Sequence, residues 1–472
     1  MSQSTEETFF IKDRSFYRSL FVLMVSLSAQ NLISYSVNMI DNIMLGSYSQ
    51  NALSGAATVN QIFFMVQQTA QPMGNAMVAI ASQYWGRGEC GPIRVLSRIV
   101  IKWSMVVALG IFAVCSLFPR QLLGIFTSSP EILEEGCAYL GLIRWSFLLF
   151  FMSSILMAML RSVEIAKISV VVSAVSLLVN SAINYTLIFG RFGFPEMGIR
   201  GAAVGTCIAR ICELAIVLFY VWKCDTRIRL FTRNTEDERG VDARQLGRTY
   251  RGVCIPMMLT VLLWAVATPL QTAIMGHLSD DAIAANSIAT TFFQYLKVIV
   301  AAVASAGTVM IGKTIGENHA AQVRAAGRSM SVIVVLIGIV LGGALFLLRY
   351  PLLSMYSISD SAYVLADHLI IIMSVVMVGM SYQMPVSAFI QSAGDVNFCV
   401  VMNLISTWCI VMPLGFLAAF IWKLPAEIVV IFLQSDQFFK GIPVFLRFRS
   451  YCWIHTLTDD KTEGTDAEYG ER

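Results

Sequence analysis

Long apolar runs separated by short polar connections dominate this chain. A spanning helix needs about 20 mostly apolar residues. By that measure about twelve segments qualify, near 17–44, 52–81, 95–118, 131–158, 166–189, 199–222, 250–275, 282–311, 326–348, 361–389, 397–421 and 425–446. The pattern also repeats. Gly46 in NIMLGSYSQNAL answers to Gly276 in TAIMGHLSDDAI. The same spacing relates Gly86 to Gly316, Arg94 to Arg324, Arg98 to Arg328, Leu122–Leu123 to Leu352–Leu353, and Ser162 to Ser392. Two same-sense hydrophobic repeats are the architecture of a secondary transporter, with the substrate path between the halves. The expected fold is therefore an all-α integral membrane protein of about twelve transmembrane helices in two six-helix repeats. Its expected parts are an N-terminal segment 1–16, an N-lobe 17–222, a linker 223–249, a C-lobe 250–446 and a tail 447–472.

Composition supports the membrane assignment. Hydrophobic residues make up 57% and charged residues 13% of the chain, with a mean hydropathy of +0.69; soluble proteins run near 45–50% and about 25%. The first apolar run exceeds the h-region of a cleavable signal, about 7–15 residues, so it reads as a retained helix. Lys and Arg set the orientation. One set of connections carries Arg87, Arg94, Arg98, Arg161, Lys167, Lys313, Arg324 and Arg328, and the 223–249 link is richer still. The opposite set has only Arg120, Arg191, Arg200, Arg349 and Lys423. Both termini are expected on the cytoplasmic side. The charged 223–249 segment suits an exposed linker, and the acidic stretch after Trp453 lacks apolar periodicity, as disordered tails do. The ten cysteines are scattered with no C-x-x-C pair and read as small buried hydrophobes.

One motif is misleading. Gly307 to Thr314, GTVMIGKT, satisfies the P-loop pattern in full, but a P-loop follows a strand in a soluble nucleotide domain. Here it ends an apolar helix, so ATP is not expected as a partner. Charges inside apolar helices are more informative, because burying them is costly. Asp41, in SVNMIDNIMLG, has apolar residues on both sides. Its counterpart in the second repeat is Gln271, which cannot titrate, so the two repeats are chemically unequal. Shielded from water, such a carboxylate can load and release a proton or hold a cation; near a helix end it would be an interfacial group instead. Asn180 and Asn184 stand four apart and face the same way, either toward an ion or into an interhelical hydrogen bond. Thr206 has the same two readings. Arg210 with Glu213, and Asp436 with Lys440, are spaced to neutralise each other on a helix face. Lys297, Arg144 and Asp367–His368 take no role at this level. The four histidines lack zinc-ligand spacing, and no metal beyond a coupling Na⁺ at Asp41 and no organic cofactor is expected.

At QNLISYSVNMIDNIMLG, ASQYWGRGE, INYTLIFGRFGFPEMGIRGAAVGT, MIGKTIGENHAAQ, SAGDVNF and LRFRSYCWI the chain resembles the multidrug and toxic compound extrusion (MATE) family, over about 16–455. The resemblance implies two six-helix lobes forming a V around a central cavity. It implies export of mostly cationic, amphiphilic compounds in exchange for H⁺ or Na⁺. Carried over, the family's first-helix acid falls on Asp41, and its N-lobe site on Asn180, Asn184 and Thr206. Val261 stands where relatives often have glutamate ahead of Trp264, which removes support for a C-lobe cation site and leaves Asn403 as a polar substitute. Gln30, Trp264, Gln271 and Asn403 are the expected cavity residues. The expected protein is a monomeric, ion-coupled antiporter of a bacterial inner membrane, acting on small molecules and not on nucleic acid. A lipid-linked oligosaccharide flippase is the alternative; it would require several basic cavity residues, of which Arg144 and Lys297 are the best. An enzyme using Asp41 as an acid is disfavoured, because no second carboxylate or nucleophile–base pair accompanies it.

Overall fold

A computed structural model describes residues 10–458 except 232–235, 239, 279, 318–319, 355 and 357–358. The acidic residues 459–472, the first nine residues, and Arg233, Arg239 and His319 lie outside the described residues. The chain is all-helical, with one isolated bridge between Gly394 and Ile454 among the described residues. In chain order the helices are α1 Arg14–Tyr48, α2 Gln50–Gly86, α3 Cys90–Leu117, α4 Pro119–Gly124, α5 Pro130–Ser162, α6 Lys167–Ile188, α7 Ile199–Phe219 and α8 Ala243–Gly276. The remainder are α9 Asp280–Gly316, α10 Ala320–Leu353, α11 Asp360–Ser392, α12 Val396–Asn403, α13 Met412–Phe416, α14 Ala426–Gln434 and α15 Asp436–Arg449.

The repeat is visible in the helix starts. Gln50 and Asp280, Cys90 and Ala320, and Pro130 and Asp360 open three pairs of helices, each pair at the spacing that relates Gly46 to Gly276. Among the described residues eleven helical spans are long and apolar enough to cross a bilayer. The second helix in order, α2, has 37 residues and is the polar exception: Gln67, Gln68, Gln71 and Asn75 interrupt its apolar sequence.

The last two spans depart from simple helices. Residues 396–421 run as α12, a π-helical stretch Leu404–Val411, α13 and a second π-helical stretch Leu417–Ile421. Pro413, which has no N–H to donate, sits inside this region, and wide turns of this kind mark irregular places in helices. The final span is divided at Ser435 into α14 and α15.

Two compact units emerge. One comprises Val25–Ala81 and Gly88–Cys254, the other Met1–Met24, Ser82–Arg87 and Ile255–Arg472. In the first, here called the first half, α7 packs on α5 and α6, and α5 on α3. In the second half α11 is central and packs on α9, α10 and α15. Ala285, Ile288, Ala289 and Phe293 of α9 enter its apolar core with Leu369, Met373 and Met377 of α11.

The link after α7 is exposed along most of its described length but is pinned at a few points. Ile228 and Leu230 are 0% and 5% exposed. Arg94 donates to Glu238 at 2.9 Å, to Asp237 at 3.3 Å and to the Ile228 carbonyl at 3.0 Å. Arg98 reaches the same Glu238 at 3.0 Å. Burial opposes ionisation of Glu238, but hydrogen bonds from Arg98 and Arg94 outweigh it and hold the carboxyl below its usual range. Two arginines one turn apart on α3 thus anchor a segment whose charge alone suggested solvation.

Candidate functional site

Three helices of the first half bring four polar side chains together. Asn180 and Asn184 are 1% and 0% exposed on the face that α6 turns toward α7. The close approach depends on Gly205: a Cβ there would collide with Asn184 Oδ1. Gly201, four residues earlier, meets the Leu187 backbone in the same way. Small residues at this spacing let membrane helices close on one another.

Asn184 Nδ2 donates to Asp41 Oδ1 at 2.7 Å and to Asn180 Oδ1 at 3.3 Å. Asn180 Nδ2 donates to Thr206 Oγ1 at 3.2 Å. Asp41 lies inside α1, which continues to Tyr48, so it is a helix-interior carboxylate. The geometry joins α1, α6 and α7 through one chain, Asp41–Asn184–Asn180–Thr206. Among the described residues no Lys, Arg or His pairs with Asp41 at salt-bridge distance. Arg210 acts on it through space, but that guanidinium is held by Glu213 at 2.6 Å and lies over the Phe63 and Phe150 rings. Glu213 in turn accepts from Ser153 at 2.7 Å. A part-buried carboxylate in a helix interior without a counter-charge favours a positive partner, and a proton or a small cation would supply one.

The other expected residues lie elsewhere. Gln30 donates to Met157 Sδ at 3.8 Å, and Asn403 turns back on its own helix, donating to the Cys399 carbonyl at 2.8 Å. Trp264 carries the Lys297 ammonium over its ring at 4.8 Å, and Gln271 is half-buried further along α8. Tyr139 is also part of this cluster: it is 3% exposed and lies beside Asp41 and Thr206. A tyrosine in an apolar run carries no signal that would single it out.

The second half holds its own polar centre. Lys440 Nζ donates to Asp436 Oδ2 at 2.6 Å, as the i, i+4 spacing predicts. Ser406 and Thr407 add hydrogen bonds to Asp436 Oδ1 at 2.9 and 3.2 Å. By the spacing of the repeats, Asp436 and Lys440 are the counterparts of Thr206 and Arg210. The P-loop-like residues Gly307–Thr314 are continuous α9 helix, with Thr314 Oγ1 bonded to the Met310 carbonyl and Gly307 pressed on Phe389.

The MatE family model matches residues 27–186 and 256–417, once in each repeat and over more than half of the chain. The chain belongs to the MATE family. MATE proteins are membrane transporters rather than enzymes, and ion coupling is a property of the family. A Rhizobium meliloti protein described as a probable multidrug resistance protein, NorM, is 27% identical over 419 residues, covering 87% of each chain. The Vibrio cholerae MATE transporter VcmN, in its bent form, superposes with a TM-score of 0.84 at 18% identity, covering 97% of this chain and 99% of its own. A MOP superfamily transporter from Pyrococcus furiosus gives 0.80 at 15% identity, covering 95% of this chain and 98% of its own. At such identities the structural matches establish the MATE fold, and with it an integral multi-pass membrane protein.

Proposed function

We propose that this MATE protein is a secondary efflux antiporter that exports cationic or amphiphilic small molecules in exchange for H⁺ or Na⁺. The observation carrying this reading is Asp41, held at 2.7 Å by the Asn184 amide with no basic partner among the described residues. In the proposed cycle Asp41 takes up the coupling ion in the outward-facing state as substrate leaves. It discharges the ion on the cytoplasmic side. An asparagine amide suits both states, because its N–H₂ donates to a carboxylate and its carbonyl accepts from a carboxylic acid. Asn180 and Thr206 hold Asn184 in place and extend the polar path, and Tyr139 closes it beside Thr206. A potential of 100 mV supplies about 2.3 kcal/mol per charge moved, enough to drive export without ATP.

The basic connections support cytoplasmic termini, and the repeats support an N-lobe of 17–222 and a C-lobe of 250–446. A monomer is sufficient, since each chain carries both repeats. A flippase for a lipid-linked anionic glycan would require several free cavity cations. Arg210 and Lys440 do not serve, since Glu213 and Asp436 neutralise them, which leaves Arg144 and Lys297, each over an aromatic ring, as that reading's two cations.

The test is fluorescent-cation uptake into proteoliposomes holding the wild type or Asp41→Asn, under an imposed pH gradient or Na⁺ gradient. Uptake that follows one gradient and is lost in Asp41→Asn supports the reading and names the ion. Full uptake in the variant removes Asp41 from coupling. Folded protein with no uptake under either gradient would shift the assignment to the flippase.

A further inference from the structure

The middle of α9 presents a polar face, two of whose hydroxyls, on Ser287 and Thr291, bond the helix's own backbone. Ser287, Thr291, Gln294 and Tyr295 are all exposed, at helical spacings that place them on one side. The opposite side, Ala285, Ile288, Ala289 and Phe293, is buried in the core of the second half. Lys297 stands at the edge of the polar face, near the midpoint of the helix Asp280–Gly316. An ammonium at that depth is expensive in hydrocarbon and is found facing protein-lined, water-filled space.

Its surroundings are one-sided in charge. Lys297 is the only ionisable acid or base between Asp281 and Lys313 apart from Tyr295, and α8 has none from Ile255 to its end. Among the described residues no carboxylate pairs with Lys297. Its partner is the Trp264 ring, 4.8 Å from Nζ. Trp264, Thr268 and Gln271 follow at i, i+4 and i+7 along α8, one face again. Thr268 spends its hydroxyl on the Trp264 carbonyl at 3.0 Å. A cation–π contact holds a cation in place without neutralising it.

We infer that Lys297 and Trp264 form an anion-accepting subsite, which takes the carboxylate of a ring-bearing amphiphile while the ring stacks on Trp264. A lipid headgroup is the poorer source of the anion, because phosphates lie about 15 Å from the midplane of a hydrocarbon core about 30 Å thick. The subsite deepens the antiporter reading, on which its place in transport rests. It adds to the cationic substrates of that reading the amphiphiles that also carry a negative group, zwitterions included.

Rhodamine 110 has a free carboxylate, and rhodamine 123 is its methyl ester. Binding of each to the purified full-length protein in detergent is measured by fluorescence anisotropy, which needs no transport. The expected result is about tenfold tighter binding of the acid by the wild type, the scale of a hydrogen bond to a charged group. Lys297→Gln should bind both dyes equally, at the affinity of the ester, and Lys297→Arg should keep the preference. A second readout uses the wild type and Trp264→Phe alone: tryptophan quenching by rhodamine 110 should be reduced in the variant. Equal binding by the wild type, no binding of either dye, or a preference that survives in Lys297→Gln overturns the subsite. Transport that fails while the acid preference stands overturns the antiporter reading instead, and leaves the subsite intact.

Discussion

Each half closes one buried carboxylate with a base, Glu213 with Arg210 and Asp436 with Lys440, but the first half also holds Asp41, part-buried and treated in the opposite way. In the second half Asp436 receives three donors, Lys440, Ser406 and Thr407, and one of them carries a full charge. In the first half Asp41 receives one amide, and the nearby guanidinium of Arg210 is already committed to Glu213. A satisfied pair is a fixed structural element. A carboxylate with a neutral partner is free to change its charge. The repeats carry polar groups at corresponding positions, 206 and 210 beside 436 and 440, and Asp41 on α1 is an additional acid, with Gln271 at the matching position of the second repeat.

Breaking each acid in turn should separate the two roles. Asp41→Asn is expected to lower gradient-driven uptake about a hundredfold, the scale on which losing a positioned proton-transferring group acts, with its melting temperature unchanged. Proteoliposome flux and a thermal unfolding scan check both parts. Asp436→Asn should do the reverse. Leaving Lys440 buried and unpaired is expected to cost about 3 kcal/mol of stability, read as a lowered melting temperature. Asp436→Asn with Lys440→Met should regain most of it; if the double variant stays as unstable as the single one, the pair is not what holds α15.

Finer changes sharpen the contrast. Gly205→Ala drives a methyl into Asn184 Oδ1 and is expected to cost about 1–3 kcal/mol, as overpacking does, with a several-fold loss of uptake. Thr206→Val removes one hydrogen bond to Asn180, worth about 1 kcal/mol, and should slow uptake only a few-fold. The smallest effect belongs to Glu238, outside the membrane. Its carboxyl sits below the ordinary range in the folded protein, so its contribution is present above the unfolded value of about 4.3 and fades as pH falls through the folded value. Acid unfolding of Glu238→Gln should therefore lack part of the wild type's stability loss below about pH 4. An unchanged acid transition would place the anchoring of the link in Asp237 and the Ile228 carbonyl instead.

Much of this was legible in the chain. Asp41, Asn180, Asn184 and Thr206 stood out because a polar residue inside an apolar helix is costly enough to be noticed. Arg210 with Glu213 and Asp436 with Lys440 were readable as pairs, because one helix turn fixes their proximity. Other features were not. Tyr139 is apolar enough to pass as packing, and Ser406 and Thr407 serve an acid on a different membrane span. The link's charge gave no sign of its anchoring; only the placement of Arg94 and Arg98 opposite Asp237 and Glu238 shows it.

The sequence by itself determined the helices, their number and their duplication, because hydrophobic length and period are local properties fixed by the bilayer and the backbone. It also determined which residues are too polar for their surroundings. Only the tertiary structure decided which of those residues satisfy one another. The hydrogen bond between Asp41 on α1 and Asn184 on α6, with glycines of α7 packed behind it, depends on three segments far apart in the chain. No local pattern encodes that contact, and it separates the carboxylate left open in the first half from the one closed by a lysine in the second.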